Sequence, residues 1–380
     1  MNLVSFKRAL INLYTNSRGW RTKRKLIVIE SDDWGSIRMP SREVYEKFLV
    51  MGFPVDKLSY LKYDALESNS DLEALFEVLT SVKDSNGNHP VFTANTIMTN
   101  PDFDKIRQSG FRDYHYELFT ETLKRYPEHD KVMDLYRVGI EKNVFYPQLH
   151  GREHLNINRW MKAIQDEKSN ARLAFDYGFY DLATSHTKIS QDSFVDALNI
   201  SNTLEIKEHN NSIKEATNLF NAIFGYPSIS FIAPCYIWSP ELEPLLFDSG
   251  IKVLQGNSYQ LIPKAGRVNV FQKRLHFTGE KNKNNLRFTI RNCYFEPSSK
   301  NYSNNEIYSC LDQIESAFKY HKPAIITSHR INYIGFIDES NRSQGLKMIE
   351  SLLKQIILQW PDVEFISSAK LFELMDASYG

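Results

Sequence analysis

Three cysteines in 380 residues, Cys235, Cys293 and Cys310, share no Cys-x-x-Cys spacing. That argues against a disulfide framework and a cysteine-built metal cluster, and fits reduced thiols in a reducing compartment. No apolar run approaches membrane-spanning length. Charge of one sign is not in excess either: Lys+Arg and Asp+Glu are both 46, so the formal charge is zero. No overall field recommends nucleic acid or an anionic membrane as a partner. There is no Gly-rich dinucleotide fingerprint, internal repeat, coiled coil or low-complexity tract. The first 24 residues are basic, and their apolar run at 9–13 is too short for a secretory segment. We expect a cytoplasmic protein whose N-terminal stretch forms a solvated helix packed on the rest.

What is present is a globular composition, 42% hydrophobic and 24% charged, patterned as strand, helix, strand, helix. Short β-branched apolar runs at 26–29, 90–95, 144–149, 229–233, 251–254, 286–294, 324–327 and 363–367 read as strands. Between them, helices are expected at 41–50, 71–82, 103–123, 130–142, 204–224, 305–320, 345–360 and 369–375, and 155–226 as a whole reads as a long helical insertion. Such alternation implies a parallel sheet, and seven or eight units closed on themselves make a barrel. The expected class is therefore α/β, a distorted (β/α)7-type barrel in one domain over 1–380. Its catalytic core would be 24–335, and 155–226 would cap it.

Polar residues that could do chemistry fall at the C-terminal ends of these strands, where barrels place active sites. Asp32 and Asp33 follow the first strand. Two adjacent carboxylates at the mouth of a buried strand repel each other, and a bound cation offsets this. Alone, the pair would also serve as a helix cap ahead of Ser41. His150-Gly151-Arg152-Glu153-His154 follows the third strand. Histidines four apart share one face of a helical turn and can hold one divalent metal; with Asp33 they make three ligands and leave positions for water. The same five residues also spell the His-x-x-Glu-His of inverzincin metalloproteases, but that reading leaves both aspartates unused. The segment from Phe231 to Tyr236 runs a strand into a proline corner, where a backbone N–H could face a reacting carbonyl. His329 ends a buried strand, and its near-neutral pKa suits a general acid.

Taken in order, Asp32-Asp33, His150…His154, Pro234…Tyr236 and Ser328-His329 resemble the motifs of the polysaccharide deacetylase family, the NodB-homology or carbohydrate esterase 4 group. The resemblance spans roughly 26–330. It implies a metal-dependent hydrolase that removes N-acetyl or O-acetyl groups from a sugar or glycan. Asp32 would be the base and His329 the acid. Asp33, His150 and His154 would hold a divalent metal, zinc first, with cobalt or nickel as alternatives. The Cys235 N–H would bind the oxyanion, and Tyr236, Trp34 and Trp238 would face the sugar. The sequence departs from the family at three points. Trp34 follows the aspartates where the family has Gly, and Gln255-Gly256-Asn257 replaces an Asp/Trp-rich motif. Ile232 stands where an arginine normally fixes the base, so Asp32 is expected to titrate higher unless a cation such as Arg330 fills the gap. Other classes stay open: an amide or ester hydrolase of a small metabolite, or a catalytically silent glycan-binding protein.

Overall fold

A computed structural model describes residues 14, 16–182, 193–267 and 269–378; most of the N-terminal stretch expected to be a helix lies outside them. The main sheet has nine strands: β1 (Lys25–Trp34), β2 (Phe92–Ile97), β3 (Phe145–Gly151), β4 (Ser230–Ile232), β5 (Val253–Gly256), β6 (Arg287–Ile290), β7 (Cys293–Tyr294), β8 (Ala324–His329) and β9 (Val363–Phe365). They run β6-β5-β4-β3-β2-β1-β8-β7, with β9 beside the start of β1, and every pairing is parallel. Nearly all their residues are buried on both faces, as a parallel sheet under helices requires.

The two ends of this order are one piece of chain. Only Arg291 and Asn292 separate β6 from β7. The Arg291 N–H donates to the Gly256 carbonyl at 2.9 Å, continuing the β5 ladder, and the Asn292 N–H donates to the Ile325 carbonyl at 3.1 Å, beginning the β8 ladder. The sheet is thereby closed into a ring of seven strand positions, counting β6 and β7 as one, which is the (β/α)7 barrel expected.

The helices cover it as the patterning requires. Among them are α1 (Arg42–Val50), α2 (Asn69–Thr80), α3 (Val132–Glu141), α4 (Glu205–Phe224), α5 (Asn305–Lys319), α6 (Glu339–Gln359) and α7 (Ser368–Ala377). α2 starts two residues before the expected Asp71, because Ser68 is the cap. Its side chain takes the Asp71 N–H while Asp71 takes the Ser68 N–H, and such a box contributes about 1 kcal/mol. The helix expected over 103–123 is broken. Phe103–Gln108 is helical, but Tyr116–Leu118 pairs antiparallel with Thr99–Pro101 before Phe119–Leu123 turns helical again. Tertiary pairing overrode a helical pattern there.

The insertion divides in two. α4 is the crossover helix that returns β3 to β4, with Ile213, Ala216 and Phe220 in the main core; Gly225, at φ 77°, ends it. The part before it carries helices Ile157–Ile164 and Asn170–Asp176. Trp160, Ile164, Phe175 and Tyr180 pack there with Ile37 and Ile106 in a separate cluster. Among the described residues of the insertion, Phe179, Tyr180, Asp181, Ser193 and Val195 from this first part line the cavity at the barrel mouth, and none from α4 does.

Candidate active site

In a regular strand, neighbouring side chains point to opposite faces. Asp32 and Asp33 nevertheless both line one cavity. The reason is local. The register between β1 and β2 shifts between Ser31 and Trp34, and Asp33 sits at φ 76°, a strained value for a non-glycine residue. β3 does the same. Its register against β2 passes from Leu149 to Gly151, leaving His150 as the extra residue. Both shifts turn acid and imidazole into the mouth.

Asp33, His150 and His154 are buried, and their ligand atoms lie within 4.8 Å of one another. Asp33 Oδ1 is 3.5 Å from His150 Nε2 and 3.2 Å from His154 Nε2. His150 Nδ1 lies 2.9 Å from the Ile232 carbonyl; donating there leaves its Nε2 lone pair facing Asp33. Burial pushes His154 down to about 3, so its ring is neutral. Burial also opposes the Asp33 charge, but the Arg38 guanidinium beside it outweighs this and holds the carboxyl well below the usual range. One carboxylate and two imidazoles, buried and convergent, fit a divalent metal.

β1 and β8 are in register with Asp32 opposite His329. Arg291 clamps Asp32 from the seam of the barrel, Nη2 to Oδ1 and Nη1 to Oδ2, both at 2.6 Å. Arg291 is itself fully buried and also donates to Glu30 at 2.7 Å and to Thr327 at 2.9 Å. Asn95 donates to Asp32 Oδ1 at 2.7 Å and to Gln255 at 2.8 Å. Burial alone would raise the Asp32 pKa; the bidentate arginine reverses this and holds it well below the carboxylate range. The cation missing at Ile232 is thus supplied by Arg291, and the expectation of a higher-titrating Asp32 is overturned. Arg330 does not fill the gap: it pairs with Asp64 at 3.1 Å and Glu67 at 2.8 Å.

His329 Nε2 is 3.7 Å from Asp32 Oδ2, and its Nδ1 is 2.5 Å from Glu296. Burial disfavours its charge, but Glu296 more than compensates and raises it to about 9. His329 is therefore an imidazolium at neutral pH, a proton donor beside a carboxylate.

These groups open into a cavity of about 680 Å³. Cys235 and Tyr236 line it at the proline corner, both with positive φ, 56° and 60°. Trp34 does not. It is 1% exposed in the core, its Nε1 donates to Ser31 at 3.0 Å, and its ring packs edge-on against Phe145. Trp238 is likewise core. Neither faces the cavity; for Trp34, the register shift that turns Asp33 toward the cavity sends the next side chain into the core. The two histidines do not share a helix: His150 belongs to β3 and His154 to the turn after it, so the helical spacing of an inverzincin site is absent. Arg291, Glu296 and Arg38 went unnoticed in the sequence; Arg291 lies in an expected strand with no motif around it.

No family model and no curated protein matches the chain. Among the described residues no helix is long and apolar enough to cross a membrane. Solved structures resemble it at low identity. A type-57 glycoside hydrolase branching enzyme from Pyrococcus horikoshii has a TM-score of 0.46 at 9% identity, over 93% of this chain and 70% of its own. A 4-alpha-glucanotransferase from Thermococcus litoralis has 0.45 at 10%, over 92% of this chain, which spans 40% of that enzyme. A Mycobacterium smegmatis protein assigned to the polysaccharide deacetylases has 0.43 at 10%, over 95% and 94%. Scores below 0.5 carry no chemistry across, so the fold rests on its own strand order and the site on its own distances.

Proposed function

We propose that the chain is a metal-dependent hydrolase that removes an acetyl group from an acetamido sugar or glycan. The observation that carries this reading is the pairing of an ionised Asp32 with a protonated His329, 3.7 Å apart, beside the Asp33–His150–His154 triad. When bound by those three residues, a divalent cation, zinc by our reading, acidifies water and polarises an acyl oxygen. Asp32 accepts the proton of the attacking water as the new C–O bond forms. Arg291 keeps this carboxylate charged and aimed. The backbone N–H of Cys235, at the positive-φ corner, donates to the developing oxyanion. The C–N bond breaks as His329 gives its proton to the amine, a step an amide requires because an unprotonated amine leaves poorly. Acetate and a free amino sugar result, and Tyr236 offers the sugar a flat face.

A second reading, an amide or ester hydrolase of a small metabolite, draws support from the cavity. Its volume of about 680 Å³ is that of a small-molecule pocket rather than an open groove for a polymer. Both readings use the same groups.

Metal analysis of the purified protein, followed by acetate release from acetamido sugars and from simple N-acetyl and O-acetyl metabolites, tests them. Metal with acetate release from sugars supports the first. Release only from metabolites supports the second. A folded protein that takes up no metal and binds glycans would leave the silent-protein alternative.

A further inference from the structure

Arg38 is a buried cation in the cavity whose chemistry the deacetylase reading leaves unused. It lines the cavity, yet its side chain is only 9% exposed. Two tyrosine rings flank its guanidinium, Tyr60 at 5.8 Å and Tyr180 at 5.7 Å, which fixes the plane of the fork. Among the described residues no acceptor reaches it with hydrogen-bond geometry, and Nε is buried without a hydrogen bond. Its ion pairs are long, 3.5 Å to Asp33 Oδ2 and 3.4 Å to Asp64 Oδ2. Each acid spends its other oxygen elsewhere, while Asp64 Oδ2, which faces Arg38 Nε, is likewise buried without a hydrogen bond. Asp33 turns Oδ1 to the two histidines, and Asp64 is held by Arg330 at 3.1 Å. A buried arginine with donors unspent costs free energy until an acceptor arrives. At the rim Lys62 adds a second cation.

We propose that Arg38 binds an oxyanion carried by the substrate, so that the sugar bears a carboxylate or phosphate near its acetamido group. This rests on the deacetylase reading and narrows its substrate class. A planar guanidinium meets either anion with two parallel N–H···O bonds, which a neutral hydroxyl cannot match. The phosphate and carboxylate sources differ in charge and size, and the assay separates them.

The experiment compares N-acetylglucosamine, N-acetylglucosamine 1-phosphate and N-acetylmuramic acid on the metal-loaded protein, its Arg38→Gln and its Arg38→Lys variants. Acetate release, metal content and thermal unfolding are read on each. The expected result is a preference for at least one anionic sugar on the order of 10- to 100-fold in kcat/KM. In Arg38→Gln that ratio collapses toward one, chiefly through KM, with metal retained; Arg38→Lys keeps part of it. Phosphate or carboxylate preference names the source. Equal use of all three sugars by the unaltered protein overturns the proposal. So does an equal loss on all three in folded Arg38→Gln with metal gone, which would make Arg38 a support for Asp33. If no sugar is turned over, the proposed function fails by itself. Calorimetric binding of the same three sugars then still decides Arg38: tighter anionic binding lost in the variant upholds it, and equal binding overturns it.

Discussion

At the scale of single residues, Asp32 and Asp33 are neighbours in sequence with different work. Asp32→Asn keeps the contacts of its carbonyl oxygen but loses the basic oxygen, so metal content should stay and acetate release should fall by about 10²–10⁴-fold. Asp33→Ala should lose metal and activity together, with partial rescue by excess metal. Paired elemental analysis and rate measurement on both variants checks this, and an unaltered rate in Asp32→Asn would end the mechanism. The pH profile follows from the same groups. Asp32 is held well below the carboxylate range by Arg291, so it stays charged at every working pH and gives no acid limb near neutrality. His329, raised to about 9 by Glu296, carries its proton below that pH and loses it above, so activity on amides should decline above about pH 9. Glu296→Gln removes the charge that raises it, and the alkaline limb should move toward the ordinary histidine value of about 6.5. At pH 8 the rate would drop roughly 10- to 30-fold, and an activated aryl acetate would suffer less. A limb that stays at 9 in Glu296→Gln would remove His329 from the acid's role. The aspartates and histidines were legible in the sequence because their spacing is short. Arg291 was not, because 259 positions separate it from Asp32, and only the closed ring brings them together.

At the scale of elements, the site depends on how closely α6 approaches the turn after β8. A Cβ on Gly345 would lie 1.7 Å from the Asn332 carbonyl oxygen, so only glycine lets helix and turn touch. Asn332 donates to Glu296 at 2.7 Å, and Glu296 holds His329. Gly345→Ala should push α6 outward, cost about 1–3 kcal/mol and loosen Glu296. Urea unfolding with a parallel pH–rate profile checks both effects, and unchanged stability would show that the helix can yield freely. Helix positions were readable from periodicity, but this contact was not: Gly345 reads as the start of the helix expected over 345–360, whereas α6 begins at Glu339 and carries it inside. Trp34 shows the opposite failure. Its place beside two acids at a strand mouth suggested a sugar platform, whereas a register shift that no sequence pattern announces sent it into the core.

At the scale of the molecule, the C-terminal segment belongs to the barrel. β9 pairs with β1 from Lys25 to Ile27. The Phe365 N–H donates to Asp84 at 3.0 Å, and the Ser368 hydroxyl donates to Glu30 at 2.8 Å, the acid that also holds Arg291. A chain ending at residue 335, the limit read for the catalytic core, would lose α6, β9 and α7, and with them Leu352, Leu353 and Ile356 from the core. Each such side chain contributes about 1.5–3 kcal/mol on burial, so the truncated chain should be insoluble or unfolded by circular dichroism. A folded, active truncation would show that the tail is an addition to a barrel complete without it.

Because Arg291 lies in the two-residue link that joins the ends of the ring, closure and charge balance are one event. Strand pairing across the seam and the clamp on Asp32 are made by adjacent atoms of the same short link. A chain that fails to close there is left with Glu30 and Asp32 facing each other in a dry interior, a state their mutual repulsion disfavours. The seam thus ties the neutralising of two buried carboxylates to the shutting of the ring. Under the proposed function, turnover would in effect read out whether the ring is shut.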